Sequence, residues 1–154
     1  MRIDVVHTDE ERLACFEVLL ALRPKLTRES FLQDLVRLGA QGYQLAAIWD
    51  PEVRCVAGYR PMETFATGPM LFVEDLVTLE TQRSHGYGEQ MIAFLEGRAK
   101  QLGCRFLELD AGTQRLAAHR FYRANGLEEV ALHFSKPTSL EERAPDETLS
   151  GREG

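Results

Sequence analysis

The run Met70-Leu71-Phe72-Val73-Glu74-Asp75-Leu76-Val77-Thr78-Leu79, then Glu80-Thr81-Gln82, then Arg83-Ser84-His85-Gly86-Tyr87-Gly88 decides the fold. Its first part is apolar and β-branched, a buried strand interrupted only by Glu74-Asp75. Its second part is a polar turn that closes on two glycines one residue apart. Behind it, Glu89 to Leu102 carries Met91, Ile92, Leu95, Ala99 and Leu102 at helical spacing, with Gly103 where a C-terminal cap belongs. Strand, glycine-bearing loop and helix together aim unpaired N–H groups and the positive end of a helix dipole at one point, which suits a phosphate.

Other phosphate motifs fail on this stretch. No Gly-Lys-Ser/Thr follows, so it is not a P-loop. A third glycine in the dinucleotide-binding spacing is missing, as is an acidic ribose ligand ending a second parallel strand. What remains, Arg83-x-x-Gly86-x-Gly88, resembles the Gln/Arg-x-x-Gly-x-Gly/Ala segment of the GCN5-related N-acetyltransferase (GNAT) superfamily. A second block, Ala118-His119-Arg120-Phe121-Tyr122-Arg123-Ala124-Asn125-Gly126-Leu127, is similar to that family's Ala-x-x-Phe/Leu-Tyr-x-x-x-Gly-Phe segment. The two blocks stand in the family's order with a strand between them, and the resemblance covers residues 1 to 135.

Working outward, Ile3 to Val6 alternates as a short strand, and Thr8-Asp9-Glu10-Glu11 forms a capping box. The helix it opens shows Leu13, Phe16, Leu19 and Leu20 on one side and stops before Arg23-Pro24. A second helix from Thr27 shows Phe31, Leu35 and Leu38 and ends between Gly39 and Gly42. Tyr43 to Trp49 and Val53 to Arg60 flank the turn Asp50-Pro51-Glu52 as a hairpin. Pro61 to Pro69 reads as a loop, either a lip over the substrate or a long connection. Arg105 to Asp110 is a strand, a helix starts near Thr113 and ends at Asn125-Gly126, and Leu127 to Phe134 is a last strand. The fold class is therefore α/β (α+β), in the order β-α-α-β-β-β-α-β-α-β: a mixed, mainly antiparallel sheet with helices on both faces. It contains one parallel βαβ unit. The resemblance implies that its two parallel strands splay, because the first is bulged, and that the cofactor's pantetheine arm fills the gap.

The chain has 154 residues, 44% of them hydrophobic, enough for one domain with a real core. A net charge of −6 excludes a general nucleic-acid binder. From Thr138 to Gly154 five acidic residues face Arg143 and Arg152, so half of that charge is local. The chain divides into a domain over residues 1–137 and an acidic tail over 138–154, flexible or docked on a partner. Cys15, Cys55 and Cys104 have no Cys-x-x-Cys spacing and read as reduced thiols. No signal peptide is recognisable, and no apolar run approaches the ~20 residues of a membrane span. The expectation is a cytoplasmic protein without nucleic-acid or membrane partners. The resemblance allows a homodimer; the sequence does not choose the oligomeric state.

The resemblance implies acetyl-coenzyme A as co-substrate and transfer of its acetyl group to a primary amine, without a metal. Backbone N–H groups of Arg83, Ser84, His85, Gly86, Tyr87, Gly88 and Glu89 would hold the diphosphate, and Arg83 would add charge. His85 either donates to a phosphate or faces solvent. Leu76, Val77 and Thr78 would hold the acetyl carbonyl. Arg115, where the family often has asparagine, would reach a cofactor phosphate or solvent. Tyr122 would protonate the leaving thiolate, since a phenol of pKa ~10 is protonated at neutral pH; the alternative is a packing role.

Glu74 and Asp75 compete as base. Adjacent strand residues leave on opposite faces, so only one enters the acceptor pocket unless a bulge intervenes. Two carboxylates in an apolar strand are costly to bury without a purpose. Glu74 is the preferred base, through a water, or a clamp for a cationic amine; the other reading pairs one carboxylate with an arginine. A negative pocket favours a small cationic acceptor. The alternatives are a protein or peptide amine, or an acyl-coenzyme A-binding module without turnover. No metal-ligand cluster is apparent.

Overall fold

The structure, a computed structural model, describes residues 1–139. Most of the acidic tail lies outside the described residues. In chain order the elements are β1 (Arg2–Val5), α1 (Asp9–Leu22), α2 (Arg28–Gly39), β2 (Gln44–Trp49), β3 (Val53–Thr64), β4 (Gly68–Thr78), one 3₁₀ turn (Glu80–Gln82), α3 (Tyr87–Gln101), β5 (Phe106–Leu109) and α4 (Leu116–Ala124). The strands form one sheet in sequence order, antiparallel throughout except for the β4–β5 pair, which α3 connects in parallel.

Each face of the sheet carries its own core. On one, Met91, Ile92, Leu95 and Ala99 of α3 and Ala118 and Tyr122 of α4 pack against Ile48, Ala57, Tyr59, Leu71, Val73 and Leu76. On the other, Cys15, Phe16, Val18 and Leu19 of α1 and Phe31 of α2 cover Leu45, Ala47, Val56 and Val77. The apolar stripes expected of these helices are thus their buried sides, except that Leu102, just past the end of α3, is exposed.

The first helix begins as its sequence requires. Glu11 N–H donates to Thr8 Oγ1 (3.1 Å), while Glu11 Oε1 accepts from the N–H groups of Thr8 (3.1 Å) and His7 (2.9 Å). Those two backbone donors hold the Glu11 carboxyl down to about 2. A carboxyl depressed on folding stabilises fully above its unfolded value near 4.5, and that stabilisation is lost as pH falls toward 2. Thr8→Ala is expected to cost about 1 kcal/mol at neutral pH. Glu11→Gln should lower the melting temperature at pH 7 and flatten its fall between about pH 4.5 and 2 in thermal scans. An unchanged acid limb would show that the box contributes nothing.

Two expectations are corrected. Pro61 to Pro69 is not a loop. β3 and β4 continue as a hairpin to Thr64↔Gly68, closed by Phe65-Ala66-Thr67, with Thr67 N–H donating to Thr64 Oγ1 at 3.0 Å. Proline is tolerated at position 61 because β2 ends at Gln44↔Tyr59, leaving that side of β3 without a ladder to break. Phe65 sits fully exposed at the tip.

The last strand, Leu127 to Phe134, does not form: no strand follows α4 among the described residues. Val130, Leu132 and Phe134 are exposed. Alternation specifies which side of a strand is apolar, not that a cover exists for it. Polar contacts hold the segment instead, from Arg123 to Glu129 (3.6 Å) and from His133 to Asp110 (3.1 Å).

Candidate active site

The site is built around one irregularity in β4. Opposite β3, Asp75 pairs with Gly58 and Val73 with Tyr59, so Glu74 is an extra residue, a β-bulge. The bulge reverses the alternation. Leu71, Val73 and Leu76 face α3 and α4, whereas Asp75 and Val77 face α1 and α2. Glu74 meets Arg60, whose guanidinium lies over the Tyr43 ring at 5.9 Å, so it shares that side with Asp75. The two carboxylates therefore leave on one face, the exception to strict alternation.

The same residue marks where β4 and β5 part. Their parallel ladder runs from Met70↔Phe106 to Val73↔Leu109 and stops. From Asp75 to Thr78, β4 still pairs with β3 but, among the described residues, has no strand partner on its β5 side. Leu76, Val77 and Thr78 thus lie beyond the end of that ladder, and all three are buried.

Each carboxylate is answered by an arginine. Arg23, at the end of α1, donates through Nε to Asp75 Oδ1 (2.8 Å) and through Nη2 to the Glu74 carbonyl oxygen (3.0 Å). Tyr43 Oη donates to Asp75 Oδ2 at 2.7 Å. Burial and the Asp75 charge push the Tyr43 phenol well above its ordinary range, so it remains a donor. Arg60 forks onto Glu74, with Nε on Oε1 and Nη2 on Oε2. A net negative pocket is therefore not what the fold builds: two guanidinium groups balance two carboxylates.

Gly58 makes room for this. A Cβ there would collide with Tyr43 Oη and lie 2.7 Å from Asp75 Oδ2. A glycine inside a strand often marks such close approach, the one local signal that could have pointed to this cluster. Tyr43, Arg23 and Arg60 carried none, since their partners are remote in sequence. Gly58→Ala should break the Tyr43–Asp75 bond, costing about 1–3 kcal/mol in thermal unfolding and raising the acceptor KM. Wild-type stability would show that the contact yields freely.

The loop between β4 and α3 has the geometry of an anion cradle. Ser84 (φ 69°) and Gly86 (φ 78°) are both left-handed, and Gly86 caps α3 without a side-chain hydrogen bond. The first N–H groups of a helix have no partner within it, and here they belong to Tyr87, Gly88 and Glu89. Arg83 turns back, Nε donating to the Thr78 carbonyl oxygen at 3.3 Å, which ties the loop to the end of β4. His85 Nδ1 lies 3.1 Å from the carbonyl oxygens of Gln82 and Arg83, and its ring stacks on Tyr87 at 5.8 Å. The Tyr87 side chain is engaged elsewhere, donating to Asp50 Oδ2 at 2.8 Å, so only its backbone borders the cradle.

Tyr122 is buried on α4, in the same cluster as Val73, Leu76 and Tyr87, and its ring meets Phe121 edge-on at 5.5 Å. Arg115, half-buried, is the N-cap of α4. Cys15 and Cys55 are buried, and their thiols are pushed up to about 12. Among the described residues no cluster of metal-ligating side chains occurs, and no helix is long and apolar enough to cross a membrane.

A bulged strand whose parallel ladder to its neighbour ends early, with an uncapped helix N-terminus behind it, is a geometry that suits a phosphorylated, extended cofactor. Residues 8–127 match the Acetyltransferase (GNAT) family, and the chain belongs to that family: it is an acyl-coenzyme A-dependent acetyltransferase. It is 33% identical over 115 residues to the uncharacterized N-acetyltransferase YhdJ of Bacillus subtilis, covering 73% of this chain and 81% of that protein. Over 64 residues, 42% of each chain, it is 34% identical to the aminoalkylphosphonate N-acetyltransferase of Salmonella typhimurium. In fold it resembles a putative acetyltransferase from Agrobacterium tumefaciens (TM-score 0.77, 21% identity, 90% of this chain and 100% of that one). It also resembles the aminoglycoside acetyltransferase AAC(6')-Iy in complex with a coenzyme A bisubstrate analogue (TM-score 0.75, 19% identity, 90% and 100%).

Proposed function

We propose that this protein transfers the acetyl group of acetyl-coenzyme A to the primary amine of a small molecule, by direct attack within a ternary complex. The observation that carries the reading is the bulge at Glu74. It coincides with the end of the β4–β5 ladder, where a slot for the cofactor would open, and brings two carboxylates to that point. Support for a small acceptor comes from relatives named for aminoalkylphosphonates and aminoglycosides.

In this reading the backbone from Arg83 to Glu89 holds the diphosphate, where the positive end of the α3 dipole and its unpaired N–H groups favour an anion. Arg115 reaches a cofactor phosphate from the start of α4. The pantetheine arm lies in the slot, and β4 backbone at Leu76, Val77 and Thr78 holds the thioester carbonyl, stabilising the oxyanion as it forms. Glu74 takes the amine's proton through a water, while Asp75, fixed by Arg23 and Tyr43, positions the bulge. The amine nitrogen bonds to the carbonyl carbon, the C–S bond breaks, and Tyr122 protonates the thiolate. Direct attack fits Cys15 and Cys55, since buried thiols held near 12 are poor nucleophiles at neutral pH.

The deciding experiment is release of free thiol from acetyl-coenzyme A across a panel of amines. Amine-dependent release supports the reading. Tight cofactor binding with no release on any amine would leave an acyl-coenzyme A-binding module in its place.

A further inference from the structure

Arg60 stands apart from the Arg83–Glu89 loop and pairs with Glu74. It stands on β3 one residue past the end of the β2 ladder, on the face that carries both carboxylates. Its side chain remains about one-fifth exposed and that of Glu74 about one-quarter, so water and ligand reach the pair. Two of its N–H groups bind the Glu74 carboxylate and a third reaches the Gln41 carbonyl oxygen at 3.4 Å. Of the five donors of a guanidinium, this leaves two for another acceptor.

Charge balance then restricts what can enter. Arg23 with Asp75 and Arg60 with Glu74 make a half-buried cluster that is neutral as it stands. A plain alkylammonium would add an uncompensated charge to it, and a dication two. An acceptor carrying both an ammonium and an acidic group adds none. Its anion also competes with Glu74 for the Arg60 fork, which fits a carboxylate, phosphate or phosphonate equally well.

From this we infer that the acceptor is an amine bearing an anionic group, and that its anion draws Arg60 away from Glu74. Without such an acceptor Glu74 is locked in a fork. With it, Arg60 holds the substrate's anion and the released carboxylate takes the proton that the ammonium must lose before its nitrogen attacks the thioester; the second proton leaves that nitrogen for water as the C–S bond breaks and Tyr122 protonates the thiolate. Arg60 is thus a specificity-determining residue that keeps the base covered until the right acceptor arrives. The inference rests on the acetyltransferase reading above and narrows its substrate class.

Thiol release tests it with three acceptors of matched length: aminoethylphosphonate, propylamine and a diaminoalkane. The phosphonate should show a kcat/KM at least about tenfold above the other two, the scale of one charge-assisted hydrogen bond. A β-amino acid in parallel tells phosphonate from carboxylate recognition. Arg60→Met should erase that preference, lowering kcat/KM for the phosphonate and raising it for propylamine, with acetyl-coenzyme A affinity unchanged. Should this variant fail to fold, ethylphosphonate, which lacks the amine, must inhibit the wild-type enzyme competitively against the acceptor. Faster turnover of propylamine or the diamine, or no competition by ethylphosphonate, overturns the inference while leaving the enzyme assignment intact. Silence with every amine sinks that assignment instead.

Discussion

Tyr122→Phe is expected to lower kcat by about 10²–10⁴, the range for loss of a positioned general acid, while the dissociation constant of acetyl-coenzyme A stays within about twofold. The substitution removes one oxygen from a ring buried between α4 and the sheet and keeps every carbon contact in that cluster. A packing role would survive it with turnover intact; proton delivery to sulfur would not. Single-turnover measurement of thiol release separates the chemical step from product release, and an unchanged rate there would remove Tyr122 from the mechanism. A thioester with a more acidic thiol should partly restore the variant, because a better leaving group needs less help from an acid.

The second large effect concerns binding. Gly86→Val should weaken acetyl-coenzyme A by about 100-fold or more, the cost of two charge-assisted hydrogen bonds. Space is not the obstacle, since a Cβ at position 86 would meet only Gln90 Nε2, at 3.8 Å. The obstacle is the left-handed backbone (φ 78°), which a β-branched residue resists, so the loop must reshape and its N–H groups turn away. Ser84→Gly is the informative control. Serine already holds φ 69° at that position, and glycine there should preserve affinity and stabilise the fold slightly. Calorimetric titration with coenzyme A measures both variants, and wild-type affinity in Gly86→Val would refute the cradle.

What could be read from the residues, and what could not, divides along the range of the interactions involved. The caps at Thr8 and Thr27 depend on atoms three residues away, and both helices start where those hydroxyls allow. Gly86 before an amphipathic run announced α3 for the same reason, although the helix begins at Tyr87 rather than Glu89. The bulge at Glu74 is invisible locally, because it exists only as a mismatch between β3 and β4. The partners of Glu74 and Asp75 lie 14 and 52 residues away, so the pocket's neutrality could not be foreseen from two adjacent acids. Leu127 to Phe134 shows the converse error: a strand pattern was present, but pattern alone supplies no neighbour.

The inserted residue at position 74 makes this pocket a matter of parity. Removing it would leave Val73 opposite Tyr59 and Asp75 opposite Gly58 in unbroken alternation, delete one of the two carboxylates and take away the irregularity at which the ladder to β5 ends. Side chains here can be varied by degrees, but the length of this segment cannot: a single codon decides whether the second carboxylate and the break in register exist.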